Sequence, residues 1–169
     1  MKFRKSKTSD VESIMKIITE AQEFFKDKNI NQWQNGYPNK YTIINDIHNS
    51  ESYVLEKDGQ VVATSMITFR EEPSYKSIYD GKWLSNSKYV TIHRIAVTNT
   101  HKRLSLSTEI IKHVENLCIN KGITSIKIDT HRENISMQKL LEKNEFKYCG
   151  VIYVDDFSER IAFEKLLQI

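Results

Sequence analysis

The chain has 169 residues, a formal net charge of +3 and a hydrophobic fraction of 39%. This length and balance are typical of one globular domain with its own hydrophobic core, so we expect a single domain over residues 1–169. The charge pattern does not predict nucleic-acid binding, because basic residues are spread along the chain and alternate with acids. No apolar stretch is long enough for a membrane span, and the N-terminus has no apolar leader. We therefore expect a cytoplasmic protein with no nucleic-acid or membrane partner.

The two cysteines, Cys118 and Cys149, both lie inside apolar patterns. Their spacing matches neither a metal site nor a disulfide framework. We predict that both are buried, reduced thiols, and we expect no metal.

Apolar periodicity predicts the elements of the chain in order. They are strand 2–5, helix 11–25, helix 41–47, strands 52–57 and 61–68, strand 89–97, a helix from 106 that ends at Gly122, strand 125–131, helix 135–143, and strands 147–154 and 160–167. Ser9 and Glu12 have the spacing of a capping box at the start of the first helix. Asp58-Gly59 is a strong two-residue hairpin signal, and Gly122 is a good C-terminal cap.

Two long connections separate these elements, over 29–40 and 70–86, and both contain aromatic residues. Connections of this length are usually functional or mobile. The element order mixes a strand-rich middle with helices that cross over between strands. It predicts the α/β class: a sandwich with one central mixed, mostly antiparallel sheet of about seven strands and helices on both faces.

The stretch from Val90 reads VTIHRIAVTNTHKRLSLSTEIIKHVENLCINKGITSIKIDTHRENISMQKLLEKNEFKYCG. It resembles the GNAT superfamily of acetyl-CoA-dependent N-acetyltransferases, most sharply from His93 to Gly150. The segments 30–38 and 158–162 resemble a bacterial branch of that superfamily. The resemblance implies a GNAT-like fold and an acyltransferase that moves an acetyl group from acetyl-CoA to a primary amine. It also implies direct attack by the amine in a ternary complex.

The resemblance also implies that the loop over 101–108, with the helix it opens, binds the pyrophosphate of acetyl-CoA, because free amides at a helix N-terminus suit phosphate. Lys102 stands at the family's basic position. Ser105 and Ser107 replace its usual glycines, so we expect binding to be weakened or reshaped but not abolished. The residues assigned to the cofactor are Ile95, Ala96, Val97, Lys102, Arg103, Leu104, Ser105, Leu106, Ser107, Thr108, Asn134 and Met137.

Within this set, the backbone of 95–97 would meet the pantetheine arm. Asn134 would hydrogen-bond the arm, cap the next helix, or do both. The chain departs from the family at two further positions. Leu141 stands where many members have a tyrosine that protonates the CoA thiolate. Glu145 stands where a glycine normally ends the helix, and Asn144 is a candidate for that left-handed position.

His93 is the candidate general base, because a histidine on the strand beside the thioester could deprotonate the incoming amine. Its alternative is a structural histidine. Asp129 and His131 are further candidates that would act through water. Tyr153 is the catalytic candidate for protonating the thiolate, with Tyr148, water and a relay from His93 as alternatives. Arg94 is expected to point away from His93 into a buried ion pair.

The acceptor pocket is assigned to the aromatic loops, because aromatic faces suit cationic or apolar amines. The candidates are Trp33, Tyr37, Tyr75, Tyr79 and Trp83, together with His131. These rings could instead pack beneath the loops or form a homodimer contact. We expect the acceptor to be a small-molecule amine or a peptide amine.

Two other functions stay open beside the enzyme. One is a non-catalytic acyl-CoA binding or sensing module. The other is an interaction domain without cofactor, paired as a dimer through its last strands.

Overall fold

The computed structural model describes residues 1–101 and 105–168. Its strands are β1 (Lys2–Lys5), β2 (Ser52–Lys57), β3 (Gln60–Thr68), β4 (Tyr89–Val97), β5 (Ser125–Thr130), β6 (Lys147–Tyr153) and β7 (Glu159–Leu166). Its helices are α1 (Val11–Asp27), α2 (Lys40–His48), α3 (Leu106–Asn120) and α4 (Ile135–Lys143). Among the described helices, none is long and apolar enough to cross a membrane.

The strands form a mixed sheet of seven strands in the order β1-β2-β3-β4-β5-β7-β6. β4 and β5 are parallel, whereas β1–β2, β2–β3, β5–β7 and β6–β7 are antiparallel. The predicted order of elements and the α/β class are therefore confirmed.

The chain divides into two compact units, of which the first comprises residues 1–67 and 94–110. The apolar stripe of α1 is the centre of its core, where Ile14 and Ile18 pack with Ile43, Val54 and Ala96. This stripe follows from the helical spacing of the apolar residues.

The predicted capping box of Ser9 and Glu12 is wrong. Asp10 precedes α1 instead, and its carboxylate accepts a hydrogen bond of 2.7 Å from the Lys7 amide. Arg4 on β1 pairs with the same carboxylate at 2.7 Å and lowers the pKa of Asp10. The ion pair with Arg4 therefore holds the Asp10 carboxylate where it can accept the Lys7 amide. The spacing of residues 9–12 contains no signal of this arginine on β1.

The hairpin between β2 and β3 has the turn that Asp58-Gly59 predicts. Both residues have left-handed backbones, with φ of 51° and 77°. This is the pair of positive φ values that a two-residue turn of matching twist requires.

The second unit comprises residues 68–93 and 111–169. Gly122 has φ of 65° just after α3, as its predicted capping role requires. At the end of α4 the expectation for Asn144 is wrong. Asn144 has φ of −96°, and Glu145 itself takes the left-handed conformation with φ of 66°.

Both cysteines are buried free thiols, as predicted. Burial raises the pKa of Cys118 to about 12 and that of Cys149 to about 11.

The long connection between β3 and β4 is fastened to the second unit at several points. Tyr79 and Val151 exchange two backbone hydrogen bonds of 2.8 Å. Gly81 lies so close to Cys149 that an added Cβ would come within 2.0 Å of its carbonyl oxygen. The buried carboxylate of Glu164 accepts hydrogen bonds from Leu84 N (2.6 Å) and Ser85 Oγ (2.7 Å). These contacts present the aromatic residues of the connection on a fixed segment.

Candidate active site

The left-handed backbone of Arg94, with φ of 55°, breaks the middle of β4. Arg94 belongs to the first unit, where its guanidinium pairs with Asp46 of α2 and donates a 2.5 Å hydrogen bond to the Tyr37 hydroxyl. Both charged side chains of the pair are nearly buried, at 11% and 7% exposure. The expected buried ion pair is confirmed. Tyr37 is thereby bound to β4, with its ring 41% exposed.

After this break, β4 leads to the loop predicted to bind CoA. Ala96 is buried in the core of the first unit, whereas Ile95 and Val97 are half-buried. Glu20 of α1 then accepts hydrogen bonds from the Asn99 amide (2.7 Å) and the Thr98 hydroxyl (3.2 Å). An acid on α1 therefore fixes where the loop leaves the strand.

The predicted loop residues Lys102, Arg103 and Leu104 lie outside the described part of the chain. Ser105 is exposed and has φ of 55°, and its carbonyl accepts the Glu109 amide at 3.1 Å. Leu106 is buried and anchors the first turn of α3. Ser107 and Thr108 are half-buried polar side chains on that turn.

The two serines that replace the family's glycines therefore differ. Ser105 has the backbone conformation that glycine prefers, so Ser105→Gly should raise the free energy of unfolding by about 1 kcal/mol. Ser107 lies inside α3, so Ser107→Gly should lower it by up to about 1 kcal/mol. Urea denaturation of both variants measures whether each change raises or lowers the free energy of unfolding. Equal effects at both positions would contradict this distinction.

In the second unit, the pairing between β4 and β5 is short. Tyr89, Val90 and Thr91 pair with Ser125, Ile126 and Lys127. Among the described pairs of this unit, the ladder ends there, although both strands continue. Because side chains alternate along a strand, His93 and Asp129 are the next residues on the same face as Thr91 and Lys127. The two strands thus present an imidazole and a carboxylate just beyond their last pair.

Glu72 of the long connection holds His93. The Glu72 Oε2 atom lies 3.0 Å from His93 Nε2, and both side chains are partly exposed. When Nε2 carries the proton toward this carboxylate, Nδ1 has the free lone pair. His93 is therefore an oriented imidazole with one nitrogen available.

Tyr75 lies beside this pair and is buried. Its hydroxyl donates a 2.5 Å hydrogen bond to Asp129 Oδ1, and its ring centroid is 6.5 Å from that of His93. Burial, followed by the charge of Asp129, raises the pKa of Tyr75 well above its ordinary value. The phenol therefore stays protonated and acts as a donor.

Lys127 lies two residues before Asp129 on the same face of β5, in the last pair with β4. Its ammonium is 4.2 Å from the ring centroids of both Trp83 and Tyr89. Burial lowers the pKa of Lys127, and the charge of Glu164 partly opposes this. The Trp83 indole also donates a 2.9 Å hydrogen bond to the Tyr75 carbonyl. The rings of Trp83 and Tyr89 are thus already in contact with a cation.

Several predicted residues have other surroundings. Trp33 packs edge-on against Phe25 in the first unit, with ring centroids 5.5 Å apart. Tyr79 and Tyr153 form a similar exposed pair at 5.5 Å in the second unit. Tyr153 follows Ile152, which packs with Tyr75, and alternation turns Tyr153 to the other face of β6. Its role as a proton donor stays a prediction.

The start of α4 has the predicted capping side chain. Asn134 accepts a 3.1 Å hydrogen bond from the amide of half-buried Met137. His131, just before it, accepts the Glu133 amide at 3.2 Å through Nδ1. Burial, and then the charge of Arg160, lowers the pKa of His131. The cap is compatible with the CoA role, which stays a prediction, as do the roles of Met137 and His131.

The structure therefore brings three predicted residues together in the second unit, namely His93, Tyr75 and Trp83, and joins Tyr37 to Arg94 in the first. Sequence reasoning missed Glu72 and Asp46, which orient His93 and Arg94. The separations along the chain are 21 and 48 residues. No local pattern marks such partners.

Comparison with known proteins identifies the family. A profile of the acetyltransferase (GNAT) family matches residues 14–146. A GNAT-family acetyltransferase from Streptococcus agalactiae is 31% identical, covers 99% of this chain and 96% of its own, and superposes with a TM-score of 0.90.

Two more distant structures share the fold. They are a GNAT-family acetyltransferase from Listeria monocytogenes (18% identity, 98% and 94% coverage of this chain and its own, TM-score 0.75) and an N-acetyltransferase from Staphylococcus aureus (18%, 99% and 98%, 0.68). No curated protein matches the chain significantly. Because the family profile spans most of the chain, and because a GNAT acetyltransferase matches it along almost its whole length, the chain belongs to the acetyltransferase (GNAT) family and is an acyltransferase.

Proposed function

We propose that the protein transfers an acetyl group from acetyl-CoA to a primary amine by direct attack in a ternary complex. The observation that supports this most strongly is the short pairing of β4 with β5, which ends at Thr91 and Lys127. Among the described residues of the second unit, no further pair of the two strands follows. Backbone groups beyond this pair could therefore bind a long polar arm such as pantetheine, as the family resemblance implies.

The pyrophosphate of acetyl-CoA would bind at the start of α3. First-turn amides and the positive end of the helix dipole favour an anion there. Ser107 and Thr108 add hydroxyl donors on that turn, and buried Leu106 fixes its position. Lys102 would contribute a positive charge, in keeping with the basic position of the family's loop.

The reaction needs a base, because only a neutral amine attacks a thioester. His93 would take the amine proton on Nδ1, while Glu72 holds Nε2 and stabilises the imidazolium that forms. The amine nitrogen then bonds to the acetyl carbon, and the carbon–sulfur bond breaks. The electron pair leaves on the CoA thiolate, which is protonated by water or by Tyr153.

A second candidate function is a non-catalytic acyl-CoA binding module. It is favoured by Leu141, which occupies the family's frequent tyrosine position and is fully buried at 0% exposure. An apolar buried side chain cannot protonate the thiolate.

One experiment separates the two functions. Acetyl-CoA is incubated with the protein and a panel of primary amines while release of the CoA thiol is followed. The enzyme reading predicts thiol release that depends on both protein and amine. Binding of CoA, seen as a raised melting temperature, without release would support the module.

A further inference from the structure

We propose that Asp129, positioned by Tyr75, binds the positively charged amine of the acceptor, and that His93 on the facing strand then removes its proton. This inference rests on the proposed acetyl transfer and names the class of acceptor: a primary amine that arrives as the ammonium ion. Asp129 would touch the substrate, whereas Tyr75 would act through Asp129.

The first step of the argument is the place of Asp129. It is the first same-face residue of β5 beyond the last pair with β4, opposite the strand that carries His93. Asp129 is half-buried, and within the described part of the chain its only hydrogen-bond donor is the Tyr75 hydroxyl, at Oδ1. Its second oxygen is therefore available to a ligand.

The second step is the rigidity of Tyr75. Its ring is 3% exposed and packs against those of Trp83, Tyr89 and His93, at centroid distances of 5.1, 6.1 and 6.5 Å. The Trp83 indole fixes its backbone. A protonated phenol held this firmly fixes the carboxylate with a charge-assisted hydrogen bond, which is stronger than a neutral one. Tyr75 thus orients Asp129 without consuming its charge.

The third step is an independent polar group on the same face. The hydroxyl of Thr91 is completely buried and has no hydrogen-bond partner in the described residues. It belongs to the last strand pair, between Tyr89 and His93 on the same face of β4. Buried polar atoms without partners are rare in folded proteins, and a ligand or a bound water could satisfy this one. The same face therefore carries an unsatisfied hydroxyl at the last strand pair and an available carboxylate two residues further along β5.

The fourth step is the charge of Lys127, which determines where along the strands the ammonium of the acceptor can bind. The rings of Trp83 and Tyr89 already face the Lys127 ammonium at 4.2 Å. A second cation would meet repulsion there, so the acceptor's ammonium would bind one position further out, at Asp129. At that position the bound ammonium can give its proton to the His93 imidazole, which Glu72 orients.

The test compares Asp129→Asn, Tyr75→Phe and the double variant. The acceptors are phenethylamine, tyramine and 1,4-diaminobutane, with acetyl-CoA saturating. Loss of the charge should raise the amine KM by about 100-fold, and loss of the phenol by about 10-fold, with kcat changed far less. The double variant should be no worse than Asp129→Asn alone, because Tyr75 acts through Asp129. Tyr53→Phe, which alters a buried tyrosine of the first unit, is the matched control and should leave KM unchanged.

Several outcomes would overturn the inference. An unchanged KM with a lowered kcat in Asp129→Asn would place Asp129 in the chemistry. Multiplying effects in the double variant would give Tyr75 an independent role. Tyr75→Phe keeps the ring contacts, so its amine KM can still be measured if Asp129→Asn fails to fold. Calorimetry separates the two proposals: wild-type protein that binds CoA but none of the three amines refutes the ammonium site, whereas protein that binds no CoA refutes the acetyltransferase.

Discussion

Replacing His93 by alanine is expected to lower kcat/KM for acetyl transfer by about 10²–10⁴-fold, the usual contribution of a general base. The affinity for CoA should stay nearly unchanged, because the proposed pyrophosphate site lies at the start of α3. Initial rates at saturating acetyl-CoA, together with CoA titration calorimetry, measure both effects.

Glu72→Gln is a milder variant that tests the same site. It keeps a hydrogen-bond acceptor near His93 Nε2 but removes the charge that would stabilise the imidazolium. We expect a smaller loss than for His93→Ala, and no further loss when the two are combined, since Glu72 acts through His93. If His93→Ala keeps full activity, His93 is not the base. The next candidates would then be Asp129, His131 and deprotonation in bulk water.

Asp46→Ala is expected to lower the free energy of unfolding by about 3–5 kcal/mol, because it leaves the buried charge of Arg94 without its partner. Both side chains of this pair are almost fully enclosed. Thermal or urea denaturation measures the effect, which for a chain of this size should lower Tm by about 10 °C.

The chain contains a matched control for this pair. Lys40 and Glu12 form an ion pair of 2.6 Å whose side chains are 58% and 80% exposed. Because exposed pairs contribute little, Glu12→Ala should change the free energy of unfolding far less than Asp46→Ala does. The double variant Arg94→Met with Asp46→Leu should recover much of the lost stability, since neither charge is then buried alone. Similar losses for Asp46→Ala and Glu12→Ala would contradict the importance of burial.

The fold was predictable because its signals are local. The spacing of apolar residues gave the bounds of β4 and α4, and Asp58-Gly59 gave the hairpin turn. Local signals failed where a distant charge intervenes. Ser9 and Glu12 have the spacing of a capping box. The side chain that accepts a backbone amide before α1 is instead that of Asp10, which is held by Arg4.

The site was predictable only in part, for the same reason. His93 stands out in the sequence because it interrupts an apolar strand. The groups that orient the candidate residues come from other elements: Glu72 for His93 and Asp46 for Arg94. The left-handed conformation of Arg94 is another such feature, because arginine gives no sequence signal for a positive φ.

The most direct test of acetyl transfer uses acetyl-CoA with an isotopically labelled acetyl group and a panel of primary amines. Mass spectrometry of the small-molecule products should show a labelled acetamide of at least one amine, formed in equal amount to free CoA and lost in His93→Ala. Free CoA without labelled amide, or labelled amide formed equally well without the protein, would contradict the account.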